Sequence, residues 1–227
     1  MPRGAFITFE GSEGCGKSTQ VKRLAARIEK LGGRVLVTRE PGGTPIGEKI
    51  RDLLQFAPEN AAMKPETELL LFAASRSQLA REVIAPALAE GTIVISDRFF
   101  DSTTVYQGAA RRLDARAVSA LNSFASGVTL PDLTFVLDID EASARARILR
   151  RVRPAGLPDR MEQEPAEFYE RVCLAYRELA AAQPARIRML DGRASADEVE
   201  RAVWREVESR FASILGASCT APDALSG

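Results

Sequence analysis

Short apolar runs alternate along this chain with longer stretches in which apolar residues recur every three or four positions. The short runs predict buried β-strands at residues 5–9, 34–38, 92–96, 133–138 and 186–190. The longer stretches predict helices at about residues 17–31, 45–55, 66–89, 114–125, 141–151, 165–182 and 195–214. Alternating strands and helices are typical of an α/β fold, in which helices cover both faces of a parallel sheet.

The length of the chain sets the expected domain organisation. A chain of 227 residues is long enough for one α/β domain with a substantial buried core. We therefore predict a single domain over residues 1–215. Residues 216–227 have neither helical nor strand periodicity, so we expect them to form a disordered tail.

Composition narrows the classes of function. The 31 basic and 31 acidic residues give no net charge, so we expect no general attraction to nucleic acid or to an anionic membrane. No apolar run is long enough to span a bilayer, and we expect no secretory signal. The three scattered cysteines favour a reducing, cytoplasmic location. Histidine is absent, which excludes the commonest general base and every histidine metal site.

The clearest chemical motif is the segment Gly-Ser-Glu-Gly-Cys-Gly-Lys-Ser at residues 11–18, which fits the phosphate-binding pattern G-x-x-x-x-G-K-[ST]. Its glycines let backbone N–H groups approach phosphate oxygens, Lys17 can reach the β- and γ-phosphates, and Ser18 can offer its hydroxyl to Mg²⁺. A predicted strand precedes the motif and a predicted helix follows it, as an anion site requires. We therefore predict a nucleoside triphosphate site formed by Gly11, Ser12, Glu13, Gly14, Cys15, Gly16, Lys17, Ser18 and Thr19.

Charged residues follow several predicted strands, at the sheet edge where α/β proteins bind ligands. Asp97 follows the third strand, and its carboxylate can hold Mg²⁺ or one of its waters. Arg98 can contact a second phosphate, and Arg39 can meet an anion after the second strand. A surface Asp–Arg pair and an ordinary Pro-Gly-Gly turn would account for the same residues.

Six segments, taken in order, make the chain resemble bacterial thymidylate kinases. They are residues 10–18, 38–44 (Thr-Arg-Glu-Pro-Gly-Gly-Thr), 97–99 (Asp-Arg-Phe), 102–108 (Ser-Thr-Thr-Val-Tyr-Gln-Gly), 131–134 and 159–164. The resemblance implies a single-domain P-loop NTPase fold with a five-stranded parallel sheet and a short lid at about residues 147–160. It also implies a homodimer that uses ATP and Mg²⁺ to phosphorylate dTMP to dTDP.

The resemblance implies a role for each matching residue on the acceptor side. Phe72 matches the aromatic residue that stacks on thymine, and Arg76 matches the arginine that hydrogen-bonds the base. Pro41 would lie near the thymine methyl group, and Glu13 would meet the sugar 3′-hydroxyl. The other implied contacts are Arg39 and Arg98 near the acceptor phosphate and Ser102, Thr103, Tyr106 and Gln107 along the base and sugar. Without the resemblance, Phe72 would be interpreted as a core residue.

The predicted lid combines dense positive charge with prolines and a glycine that break the helix. Its arginines are Arg150, Arg151, Arg153 and Arg160. The resemblance implies that the lid supplies the catalytic arginine, and we favour Arg153 and Arg160, acting with Lys17 and Arg98 on the transferring group. On composition alone, a solvated helix end would explain the cluster equally well.

Two alternatives remain open on sequence grounds. The chain could phosphorylate another nucleotide or a deoxynucleoside, whose hydroxyl would need a carboxylate base such as Glu10 or Glu40. It could instead be a nucleotide-dependent switch that binds a protein partner. Such switches usually read guanine through an Asn-Lys-x-Asp element, which this sequence lacks.

Overall fold

The computed structural model of this protein describes residues 3–150 and 160–217, apart from the side chains of residues 162, 216 and 217. Residues 151–159 of the predicted lid, including Arg151 and Arg153, lie outside the described residues. The last helix, Ala196–Ala217, includes the first two residues of the predicted tail. Residues 218–227 lie outside the described part of the chain.

A parallel sheet of five strands forms the centre of the described structure. The strands are β1 (Phe6–Glu10), β2 (Val35–Arg39), β3 (Ile93–Asp97), β4 (Leu133–Asp138) and β5 (Ile187–Asp191). Their spatial order is β2-β3-β1-β4-β5, and every neighbouring pair is parallel. The α/β prediction is therefore confirmed, and each strand boundary lies within one residue of its expected position.

Nine α-helices connect and cover the strands within the described ranges. They are α1 (Lys17–Lys30), α2 (Pro45–Gln55), α3 (Pro65–Leu79), α4 (Ala85–Ala89), α5 (Phe100–Thr103), α6 (Ala115–Ser126), α7 (Glu141–Leu149), α8 (Ala166–Ala182) and α9 (Ala196–Ala217). Two 3₁₀ turns lie at Pro58–Ala62 and Arg160–Gln163. No helix in these ranges has both the length and the apolar character needed to cross a membrane.

Alternate residues of the central strand pack on opposite faces of the sheet. Ile7 and Phe9 belong to a core cluster that includes Trp204 of α9. Phe6 instead packs in a cluster with Leu79 of α3 and Leu88 of α4. Because successive side chains of a strand point to opposite faces, helices must cover both sides of this sheet.

Two helical regions differ from the sequence prediction. The single helix expected at 66–89 consists of α3 and α4 joined by a π-helical segment, Ala80–Ile84. The helical region formed by α5 and the π-helical segment Thr104–Ala110 was not predicted. Its sequence contains adjacent β-branched residues, which lower helix propensity, and its Asp101 is buried in an ion pair with Arg186. Tertiary packing therefore overrides the local signal there.

Candidate functional site

A cleft of about 240 Å³ lies beyond the carboxyl ends of β1, β2 and β3. It brings together fourteen of the residues predicted for the site. They are Glu13, Gly14, Gly16, Lys17, Ser18, Arg39, Pro41, Phe72, Asp97, Arg98, Ser102, Thr103, Tyr106 and Gln107. The remaining predicted residues lie elsewhere or outside the described ranges.

The phosphate-binding loop depends on glycines that bring two parts of the backbone very close. At Gly11, φ is +129°, and a Cβ atom would lie 2.5 Å from the carbonyl oxygen of Leu137. At Gly14, φ is +75°, and a Cβ atom would lie 2.6 Å from the carbonyl oxygen of Ala144. A larger residue at Gly11 would therefore push the loop away from β4, and one at Gly14 would push it away from α7. With glycine at both positions, the N-terminus of α1 faces the cleft. The backbone N–H groups and the dipole of a helix N-terminus stabilise a bound anion.

Lys17 folds back over this loop. Its Nζ donates hydrogen bonds to the carbonyl oxygens of Gly11 at 3.2 Å and Ser12 at 2.9 Å. Ser12 and Cys15 are buried within the loop, and Thr19 is exposed on α1. These three residues and Gly11 do not line the cleft. Their contact with a triphosphate, through the backbone or otherwise, stays a prediction.

The two predicted metal ligands lie side by side. The Ser18 hydroxyl donates a hydrogen bond of 2.7 Å to Oδ2 of Asp97, so the two oxygens can share one cation. Mg²⁺ prefers such oxygen donors and usually keeps several waters, with only one or two protein ligands. The pair therefore fits Mg²⁺. The described residues contain no group of three or more His, Cys, Asp or Glu residues arranged to hold a metal.

Arg98 has a strained backbone that directs its side chain into the cleft. Its φ is 75°, a left-handed conformation that costs a non-glycine residue free energy. Its N–H donates to the carbonyl oxygen of Phe9 at 2.9 Å, and its carbonyl oxygen accepts from the Ser96 hydroxyl at 2.7 Å. These bonds hold the unusual turn at the end of β3.

The guanidinium of Arg98 is enclosed by oxygen atoms. It forms an ion pair with Glu13 and donates to the carbonyl oxygen of Gly11 at 2.9 Å and to the Ser102 hydroxyl at 3.0 Å. Burial alone would lower the pKa of Arg98, but the nearby Tyr106, Glu13 and other acidic groups raise it well above its usual value. Arg98 is therefore a fixed positive charge beside the phosphate loop.

Glu10 is a fully buried carboxylate that supports this arrangement from behind. It accepts hydrogen bonds from the Phe99 N–H at 2.8 Å, the Ser102 hydroxyl at 2.5 Å and the Tyr176 hydroxyl at 2.8 Å. Burial, with the negative charge of Asp101, raises the pKa of Glu10. Glu10 does not line the cleft, so its position argues against the role of a general base.

Arg76 lies behind the wall of the cleft and does not line it. Only 1% of its surface is exposed. Its Nε donates to Oε2 of Glu40 at 2.9 Å, and its other nitrogens donate to Asn122 at 2.9 Å and Thr103 at 2.7 Å. A direct contact between Arg76 and a base stays a prediction, and in this structure Glu40 is the member of the pair that reaches the cleft.

Glu40 combines burial with an unsatisfied oxygen. Its Oε1 is buried and has no hydrogen-bond partner among the residues that the structure describes, whereas Oε2 is paired with Arg76. Burial raises the pKa of Glu40 to about 7, although the positive charge of Arg76 opposes the shift. The Glu40 carboxyl therefore changes its charge near neutral pH.

Phe72 lines the cleft from α3 and belongs to none of the three apolar core clusters found among the described residues. This position disfavours the interpretation of Phe72 as a core residue. Pro41, Tyr106 and Gln107 line the same cleft. The aromatic, apolar and amide groups could enclose a flat heterocycle.

The described part of the lid places its arginines away from the cleft. Arg150 is exposed beyond the end of α7. Arg160 forms an ion pair with the buried Glu68 and donates to the carbonyl oxygen of Leu54 at 3.3 Å. Neither arginine lines the cleft, so the catalytic role of Arg160 stays a prediction.

Sequence reasoning missed several residues of the site. Arg51, Gln55 and Met161 line the cleft, and Glu40 was considered only as a base. Arg51 and Gln55 are four residues apart on α2 and therefore share one helical face. This spacing indicates site residues only once α2 is known to face the loop after β2. Tyr176 was missed because its helical spacing is that of an ordinary core position.

Comparisons with known proteins agree on one family. Residues 9–203 match the family model for thymidylate kinase. A thymidylate kinase of Geobacter sulfurreducens is 50% identical over 202 residues, which cover 88% of this chain and 94% of that protein. A thymidylate kinase of Deinococcus radiodurans is 44% identical over 211 residues, which cover 92% of this chain and 99% of that protein. The crystal structure of thymidylate kinase from Ehrlichia chaffeensis matches with a TM-score of 0.74 and 32% identity, over 91% of this chain and 99% of that one.

Proposed function

Because the chain belongs to the thymidylate kinase family, we propose that it transfers the γ-phosphoryl group of ATP to dTMP, giving ADP and dTDP. One observation carries the proposal beyond the family. A single cleft contains Lys17 and Ser18 of the phosphate loop, the fixed charge of Arg98 and the aromatic ring of Phe72. A phosphoryl donor and a nucleotide acceptor can therefore meet in one cavity.

The base of the acceptor nucleotide would occupy the side of the cleft opposite the phosphate loop. Phe72 would stack on the thymine ring, and Pro41 would lie near its methyl group. Gln107 and Thr103 would line the base, with Arg76 acting on it from behind. The sugar and phosphate would meet Glu13, Arg39, Arg98, Ser102 and Tyr106.

The reaction needs no general base in this proposal. The second pKa of a phosphate monoester is about 6, so the acceptor phosphate is mostly a dianion at neutral pH. Its oxygen attacks the γ-phosphorus in line, a P–O bond to the acceptor forms, and the P–O bond to ADP breaks. Lys17 and Arg98 neutralise the charge on the transferring group and hold both phosphates in position. This chemistry suits a chain without histidine.

Ser18 and Asp97 would hold Mg²⁺, which fits their adjacent oxygen atoms. Bound there, the ion would neutralise charge on the phosphates of ATP. The lid, with Arg153 and Arg160, would provide further positive charge and exclude water when it closes.

A deoxynucleoside kinase is the second candidate, and one observation favours it. Glu40 lines the cleft, and burial raises its pKa to about 7, which suits a general base at neutral pH. The 2.7 Å ion pair between Oε2 of Glu40 and Arg76 argues against that role, because the positive charge of Arg76 stabilises the ionised carboxylate and makes it a weaker base.

An acceptor panel tests the proposal. Initial rates of ADP release with ATP and Mg²⁺ should be highest with dTMP, lower with dUMP, and small with dCMP, dGMP or thymidine. A higher rate with thymidine than with dTMP would favour the second candidate. Equal rates with and without any acceptor would contradict both.

We also propose that the protein is a cytoplasmic homodimer. Helix α3 packs against α2 and α6, and this layer exposes Leu53, Leu70 and Phe124 by 41%, 54% and 75%. Such a set of apolar side chains on neighbouring helices suits a symmetric interface. Light scattering should give twice the chain mass, and Phe124→Glu should shift the protein toward the monomer. A monomeric wild-type protein would contradict the dimer.

A further inference from the structure

Glu68 is a buried carboxylate that the proposed chemistry does not use. It lies on α3, four residues before Phe72, and only 1% of its surface is exposed. A charged group in such a position costs folding free energy unless it is well paired. Its partners therefore indicate what the position contributes.

Three side chains donate hydrogen bonds to Glu68. Oε1 accepts from Nε2 of Gln107 at 2.7 Å and from Nε of Arg111 at 3.3 Å. Oε2 accepts from Nη2 of Arg111 at 3.1 Å and from Nη2 of Arg160. Burial alone would raise the pKa of Glu68, but these donors and the charges of the two arginines lower it overall. Glu68 is therefore ionised at neutral pH and can only accept hydrogen bonds.

This acceptor determines which way the amide of Gln107 points. A glutamine amide has a donor nitrogen and an acceptor oxygen of similar size, and its orientation follows from its partners. Because ionised Glu68 cannot donate, the nitrogen of Gln107 must face it. The oxygen lies on the other branch of the planar amide, and Gln107 lines the cleft.

We propose that Glu68 is a positioning residue that determines base specificity, because it fixes the amide of Gln107 so that the amide oxygen is presented to the base of the acceptor nucleotide. The inference rests on the proposed function, in which Gln107 lines the base. Thymine and uracil offer an N–H donor at N3, whereas N3 of cytosine is an acceptor. The fixed oxygen therefore attracts the first two bases and repels the third.

The substitution Glu68→Gln tests the inference with little change in shape. A neutral amide at position 68 can either donate or accept, so Gln107 is free to turn over. Calorimetry on the full chain would give dissociation constants for dTMP, dUMP and dCMP. We expect the affinities for dTMP and dUMP to fall equally, by about tenfold, while the affinity for dCMP does not fall. An unchanged ratio of the dTMP and dCMP constants would overturn the inference.

Glu164→Gln is the matched control. Glu164 forms an ion pair with Arg111, as Glu68 does, but contacts neither Gln107 nor Arg160 in the described structure. The control removes one negative charge beside the same arginine and should leave all three constants unchanged. A loss of dTMP preference in Glu164→Gln equal to that in Glu68→Gln would mean that charge near Arg111, and not the amide of Gln107, sets the preference.

A second variant keeps the test decisive if Glu68→Gln does not fold. Gln107→Leu removes the amide that Glu68 is proposed to orient, so it should abolish the preference for dTMP over dCMP. Where both variants fold, combining them should produce no further loss of preference. A preserved preference in Gln107→Leu would overturn the inference. A wild-type chain that binds none of the three nucleotides would instead contradict the proposed function.

Discussion

The strained turn at Arg98 allows the backbone and the side chain to be tested separately. Arg98→Ala and Arg98→Gly remove the same guanidinium, and both variants lose the ion pair between residue 98 and Glu13. They differ in how they tolerate a φ of 75°. The left-handed conformation costs alanine roughly 1–2 kcal/mol. The greater unfolded-state entropy of glycine offsets roughly 0.4–1 kcal/mol of that difference.

We therefore expect the free energy of unfolding of Arg98→Gly to exceed that of Arg98→Ala by about 0.5–1 kcal/mol. Urea denaturation followed by circular dichroism would measure both values. Turnover with dTMP should fall in both variants by about 10²–10³, as expected when a preorganised charge donor is lost. Arg98→Lys should recover only part of this activity, because an ammonium group cannot grip a phosphate through two parallel N–H bonds.

Three results would contradict this reasoning. If the alanine variant were at least as stable as the glycine variant, residue 98 would not be strained in the folded protein. If both variants kept turnover near that of the wild-type enzyme while remaining folded, the guanidinium would not act on the transferring phosphate. Full recovery by lysine would argue against a bidentate contact.

Five further substitutions test other parts of the site. Lys17→Ala should lower kcat by about 10² or more without unfolding the protein, and a near-normal kcat would contradict the phosphate-loop assignment. Phe72→Ala should raise KM for dTMP by the equivalent of ~1–3 kcal/mol and leave KM for ATP nearly unchanged, whereas equal increases would indicate a structural role. Burial raises the pKa of Glu40 to about 7, so ionising this buried carboxyl should lower the free energy of unfolding as the pH rises from about 5 to 7. Denaturation at several pH values should show this decline in the wild-type protein and a smaller decline in Glu40→Gln. Among the lid arginines, Arg153→Ala or Arg160→Ala should lower kcat by about 10³ with little change in ATP affinity. If both variants keep a kcat near that of the wild type, another residue supplies the catalytic positive charge.

Much of the fold was predictable because its signals are local. The three inner strands β1, β3 and β4 are short, mostly apolar runs, and burial on both faces of the sheet produces that pattern directly. The region from Phe100 to Ala110 was not predictable in the same way. Its helical turns depend on partners distant in sequence, including the ion pair of Asp101 with Arg186.

The site divides along the same line. The phosphate loop was predictable because its whole motif lies within eight consecutive residues. The position of Arg76 behind the cleft was not, because it depends on contacts with Glu40, Thr103 and Asn122, which come from three other parts of the chain. Arg51 and Tyr176 likewise can be recognised as residues of the site only once the fold has brought their helices to it.

The most direct test of the proposed reaction follows the phosphoryl group itself. The chain is mixed with dTMP, Mg²⁺ and ATP carrying radioactive phosphorus in the γ-phosphate, and the products are separated by chromatography. The proposed function predicts labelled dTDP in an amount equal to the ADP released, and no labelled dTDP with Lys17→Ala. Label found only in inorganic phosphate, or a wild-type enzyme that leaves ATP intact, would contradict it.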